Sequence, residues 1–109
     1  MKVELTLVLK TTDRAYGTLE ALKKAGYNAT VMTTESLRHA VDYYPGEHTF
    51  INLRQVEKRD TYESILGVFV VDSERLDHLK SVIREYTKNF TEIQGFMYSR
   101  SIDDFEGSI

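Results

Sequence analysis

Val3, Leu5, Leu7 and Leu9 alternate with Glu4, Thr6, Val8 and Lys10. A period of two over this stretch predicts a strand with one face buried. Thr11-Thr12-Asp13 follows, and its side-chain oxygens can accept the first unpaired amides of a helix. Ala15, Leu19 and Leu22 form a helical stripe, Lys23 and Lys24 suit the negative end of the helix dipole, and Gly26 is the expected residue just past the end. Gly17 inside this helix costs about 1 kcal/mol against alanine, which predicts either close packing or a weaker helix. Ala29–Thr34 reads as a second strand.

The chain then says nearly the same thing again. Ile65-Leu66-Gly67-Val68-Phe69-Val70-Val71 is its most continuously apolar run and suits the centre of a sheet. Asp72 and Ser73 are the expected caps of a second helix, with Leu76, Leu79, Val82, Ile83 and Tyr86 as its buried stripe. A fourth strand is predicted from Thr91 to about Ile102, with Phe96, Tyr98 and Arg100 on one face. The acidic tail Asp103–Ile109 is expected to be mobile unless docked. Two βαβ halves, residues 3–34 and 65–102, predict one α+β domain over residues 1–109: a ferredoxin-like βαββαβ sandwich with a four-stranded antiparallel sheet and two helices on one face. The other face carries Val8, Met32 and one side of the third strand, so it predicts burial by self-association.

Composition narrows the function classes. At 109 residues the chain is one domain, burying roughly two-thirds of its unfolded surface. A net charge of −3 argues against generic nucleic-acid binding, which needs a net basic face. With no cysteine, disulfides, iron–sulfur clusters and thiolate zinc sites are out. The alternating N-terminus is unlike a signal peptide, and no apolar run approaches the roughly 18 residues of a membrane span, so the expectation is a cytoplasmic protein without membrane insertion.

Between the halves lies a polar, tyrosine-rich insert, residues 35–62. Tyr43-Tyr44-Pro45-Gly46 contains a strong type II turn signal. The insert reads equally as a long hairpin with its tip at Pro45-Gly46 or as a short helix through Leu37, Ala40, Val41 and Tyr44. Arg38, Tyr43, Tyr44, Arg54, Lys58 and Arg59 could clamp an anionic or aromatic ligand, since guanidinium forks suit phosphate and tyrosine rings stack on bases. The plain alternative is a solvated excursion whose tyrosines pack locally. His39 and His48 flank the turn without a carboxylate at ligand spacing, a poor metal site, and His78 is expected on the polar side of the second helix. No catalytic signature is present: there is no Ser-His-Asp order, HExxH or GxxxxGK[ST], and the carboxylate pairs Asp103-Asp104 and Glu57-Asp60 lack the apolar surroundings that would raise a pKa. No cofactor is implied.

The opening Lys2-Val3-Glu4-Leu5, the segment Leu19-Glu20-Ala21-Leu22-Lys23-Lys24-Ala25-Gly26, the run Val68-Phe69-Val70-Val71-Asp72 and the position of the insert together resemble the PII-like signal-transduction superfamily. Gly26-Tyr27-Asn28-Ala29-Thr30 followed by Thr33-Thr34 is also similar to the second strand of the PII-like cyclic-di-AMP receptors. The resemblance covers most of the chain and is topological more than motif-level. It implies a homotrimer with a small ligand, commonly an adenine nucleotide, in the clefts between subunits, and a long loop that meets ligand or a protein target. By position it implies that Thr30 and Thr34 line the cleft, that Arg38 sits at the loop base and that Arg100 holds phosphate. The family's glycine-rich loop after the second helix, TGxxGDG, is here Tyr86-Thr87-Lys88-Asn89-Phe90, which argues against ATP held in the usual manner.

Three readings result: a PII-like trimeric sensor of a small anionic metabolite or nucleotide, a small ferredoxin-like enzyme of monooxygenase or isomerase type, and an assembly module without ligand. The enzyme requires a pocket between sheet and helices.

Overall fold

The N-terminal alternation becomes strand β1, Lys2–Lys10, in a computed structural model that describes residues 1–35, 37 and 64–109. Val3, Leu5, Leu7 and Leu9 are buried, while Lys2, Glu4 and Val8 on the other face keep part of their contact with water. Helix α1, Asp13–Lys24, starts at Thr12, whose hydroxyl accepts the Ala15 amide at 3.2 Å. It ends in a Schellman turn, with the Gly26 amide donating to the Lys23 carbonyl and the Tyr27 amide to the Leu22 carbonyl, each at 3.0 Å. Gly26 has φ +94°, a conformation in which other residues are strained.

Gly17 is exposed, and an added Cβ there would meet nothing within 4 Å. The close-packing reading of this glycine therefore does not hold, which leaves the weaker-helix one. Gly17→Ala is expected to raise stability by about 1 kcal/mol, or about 4 °C in melting temperature for a domain of this size. A thermal melt followed by circular dichroism checks this, and a lower melting temperature would contradict it.

Strand β2, Ala29–Thr34, pairs antiparallel with β3, Ser64–Asp72, in register from Ala29–Phe69 to Thr34–Ser64. On its other side β3 pairs with β1, and β1 pairs with β4, Gly95–Ser101. The order is β2-β3-β1-β4, all neighbours antiparallel, with the two most apolar strands in the middle. A 3₁₀ turn, Ser73–Arg75, leads into helix α2, Leu76–Thr87. Leu22 of α1 and Leu79 and Ile83 of α2 pack with Leu5, Leu7 and Phe69, so both helices cover the same side of the sheet. The expected ferredoxin-like α+β sandwich is the observed one.

Three local expectations are corrected. No side chain caps the 3₁₀ turn or α2, because Asp72 faces the Lys2 ammonium at 2.9 Å across the β1–β3 ladder, where its carboxylate meets a full opposite charge and not only an amide dipole. Tyr86 is exposed and not part of the buried stripe. Thr87 holds that place: its hydroxyl donates to the Ile83 carbonyl at 2.8 Å and accepts the Phe90 amide at 3.2 Å. Strand four begins at Gly95, later than Thr91, because the chain first makes a left-handed turn. Lys88, Asn89 and Phe90 have φ of +54°, +56° and +62°, held by the Thr87 hydroxyl and by Asn89 and Thr91 amides bonded to the Arg84 and Lys88 carbonyls. This turn thus takes positive φ at three successive residues without a glycine, at a cost of about 1 kcal/mol per residue.

Of the predicted insert, only Glu35 and Leu37 are among the described residues, so its hairpin and helix alternatives both lie outside them.

Candidate functional site

Alternation puts the even-numbered residues of all four strands on the side away from the helices. Row by row across the sheet, this face reads Met32, Leu66, Val8, Phe96; then Thr30, Val68, Thr6, Tyr98; then Val70, Glu4, Arg100. Met32, Phe96 and Tyr98 are 52%, 54% and 53% exposed, and the Phe96 and Tyr98 rings lie nearly parallel, 6.4 Å apart. An apolar row running the full width of the sheet is more contiguous apolar surface than scattered surface hydrophobics provide.

Arg100 projects from β4 onto this face and is already engaged. Its Nε donates to Glu4 Oε2 at 3.0 Å and its Nη2 to Glu4 Oε1 at 3.5 Å, a two-pronged cross-strand pair. The other guanidinium N–H groups have no partner among the described residues, so the fork is oriented and still able to meet an anion. Thr30 and Thr34 sit on β2, the opposite edge. Three strand spacings, about 14 Å, separate β2 from β4, so one copy does not bring Thr30 and Arg100 together. A neighbouring copy, edge to edge, is what could.

Each threonine borders a shallow groove. Thr34 lines one of about 380 Å³ with Val8, Lys10, Glu35, Gln94 and Phe96. Thr30 lines one of about 310 Å³ between the β2–β3 pair and the C-terminal tail, with Asn28, Val68, Val70, Phe105 and Ile109. The tail is therefore docked: the Ile102 amide donates to the Lys2 carbonyl at 3.0 Å, and the Lys2 ammonium lies 5.6 Å from the centre of the Phe105 ring. Arg38, Tyr43, Tyr44, Arg54, Lys58 and Arg59, with His39 and His48, lie outside the described residues.

Two further polar arrangements escape a reading of the sequence. The Lys2–Asp72 pair is one. A hydrogen bond from the Lys2 ammonium, and then its charge, hold the Asp72 carboxyl below the ordinary carboxylate range. Because the folded value is the lower one, this contribution is full above the ordinary carboxylate pKa and is lost as pH falls through the folded value. Lys2→Met is expected to return Asp72 to the ordinary range in a carboxyl NMR titration; an unmoved titration would assign the shift elsewhere.

The other is built around Tyr27. The Arg75 guanidinium lies over its buried ring, 4.4 Å from the ring centre, and the His78 ring centre is 5.7 Å away. The Tyr27 hydroxyl and His78 Nδ1 are 2.5 Å apart. His78, expected to be merely solvated, instead ties α2 to the end of α1. The Tyr–x₄₇–Arg–x₂–His spacing carries no local signal, and only the meeting of two helix ends reveals it.

On the helix side, a groove of about 450 Å³ opens between α1 and the β2 edge, lined by Leu19, Leu22, Lys23, Tyr27, Val31 and Phe69 among others. Among the described residues no carboxylate or imidazole lines it. Among the described residues no group of three or more His, Asp or Glu could hold a metal ion, and no helix is long and apolar enough to cross a membrane.

The fold defines a class, ferredoxin-like α+β proteins with one open sheet face, and comparison with solved structures agrees. The chain is similar to a functionally unknown protein from Pediococcus pentosaceus, at a TM-score of 0.61 and 11% identity over 99% of each chain, a likeness of fold alone. No protein-family model matches the chain. No curated protein matches it.

Proposed function

We propose that this protein is a PII-like regulator: a cytoplasmic homotrimer that binds a small anionic metabolite or nucleotide in clefts between subunits and signals to a protein target through residues 35–62. The observation that carries the reading is the Met32–Leu66–Val8–Phe96 row on the open face. Hydrophobic groups in a continuous row are stabilised by burial against a second copy, at roughly 25 cal/mol per Å² removed from water. Packing copies this way supplies the edge-to-edge approach of β2 and β4 that one chain lacks. The oriented, exposed Arg100 fork supports an anionic ligand, and Thr30 and Thr34 offer hydroxyls on the facing edge.

The test is a thermal-shift panel of adenine nucleotides, cyclic dinucleotides and 2-oxoglutarate. A ligand of the folded state at one hundred times its dissociation constant adds about 2.7 kcal/mol, a rise of several degrees. No shift with any member would defeat ligand sensing. For a ligand that does bind, Arg100→Ala is expected to weaken calorimetric affinity tenfold or more, since a hydrogen bond to a charged group contributes about 1.5–3 kcal/mol. The exposed ion pair itself adds at most about 1 kcal/mol to folding. Unchanged affinity would remove Arg100 from the site.

A further inference from the structure

The C-terminal tail lies on the face that the proposed assembly must bury. It leaves β4 at Ile102, which still bonds β1 through the Lys2 carbonyl, and then crosses the sheet. Phe105 packs under Lys2, and Ser108 and Ile109 reach Val68, Val70 and Thr30 near the β2 edge. The tail thus lies over the Val70 end of the open face and stops short of the Met32–Leu66–Val8–Phe96 row.

Its hold is light. Phe105 is half-buried, Ile109 stays 59% exposed, and Gly107, at φ +115°, has no neighbour within 4 Å of where a Cβ would stand. Asp103, Asp104 and Glu106 make no ion pair among the described residues, so the tail gains nothing from its charge beyond attraction to Lys2. One cation–π contact and two partly exposed apolar side chains make a grip that a packing partner can displace.

We propose that residues 103–109 are a displaceable strap: Phe105 and Ile109 lie over the Val68–Val70 end of the open face, next to the apolar row that a second copy takes on assembly, so the tail restrains close approach of the open faces. This rests on the trimer reading above and adds its regulation. Anything that draws the acidic tail away, such as a basic surface on the target protein, then favours assembly.

The experiment compares the full chain, a chain ending at Ile102 and the full-length Phe105→Ser variant by sedimentation velocity over a dilution series. Without the strap, association is expected to tighten about tenfold, because a grip of this kind is worth roughly the 1.4 kcal/mol that corresponds to a decade. Phe105→Ser should move the midpoint in the same direction with the chain length unchanged. An assembly midpoint that stays where it is in both variants overturns the strap and leaves the trimer standing. A midpoint that moves to higher concentration also overturns it and makes the tail part of the interface. If all three chains remain single copies throughout, the assembly reading fails and the strap falls with it.

Discussion

Gly95→Ala is expected to cost about 3 kcal/mol, the largest effect of any one-methyl change in the described fold. An added Cβ would stand 2.1 Å from the Val8 carbonyl oxygen and 3.1 Å from Leu9 Cα, both backbone atoms of the central strand β1. A flexible side chain could swing aside, but these atoms are held by ladders to β3 and β4. Relief requires the start of β4 to peel from β1, which gives up the Gly95–Leu9 pairing and strains the Lys10 amide bond to the Gln94 carbonyl, now 2.8 Å. It also disturbs Ile93, buried two residues earlier. Overpacking against a rigid surround costs about 1–3 kcal/mol, more where backbone must move. With a urea slope of about 1.5 kcal/mol/M, the unfolding midpoint should fall by about 2 M. A midpoint within experimental error of the parent would show that this end of β4 is not held as described. The same methyl at Gly17 is expected to stabilise, so the pair isolates space around the glycine as the deciding variable.

Leu66→Asp is expected to convert the proposed trimer into single copies while leaving the fold intact. Leu66 sits in the middle of the apolar row, between Met32 on β2 and Val8 on β1, and in one copy it is only half-buried. There its replacement costs about 1 kcal/mol in lost contact and strand preference. Between packed copies the carboxylate would be stripped of water with no cation opposite it in the row, a penalty of several kcal/mol per copy. Light scattering should report three chain masses for the parent and one for the variant, with matching far-ultraviolet circular dichroism. A parent that scatters as a single chain sinks the proposal outright. A variant that keeps three masses would move the interface elsewhere on the surface.

Strand and helix identities were legible because each rests on short-range periodicity. β2 occupies the predicted residues, β3 extends the predicted run by one residue at each end, and α1 is bounded by the Thr12 hydroxyl and by Gly26 at positive φ. The open face was legible too, since Val8, Met32, Phe96, Tyr98 and Arg100 follow from alternation alone. Errors came where a residue had two competing partners. Asp72 could cap a helix locally or meet Lys2 across the sheet, and the charged partner won. Tyr86 and Thr87 competed for one buried place, and the smaller residue, able to satisfy its own hydroxyl on the Ile83 carbonyl, took it.

Period-two and period-3.6 patterns, with a cap and a stop, define which residues face inward, because burial of apolar side chains is decided within a few residues of chain. They therefore specify the βαββαβ order and the greasy outer face. Contacts between residues far apart in the chain obey no such local rule. Glu4 meets Arg100, Tyr27 meets Arg75 and His78, and the tail meets Lys2 and Val70 only because strand register and helix packing bring them together. Those meetings orient the Arg100 guanidinium and lay the tail across the face, and they arise from the folded arrangement because each depends on distances that no pattern along the chain encodes.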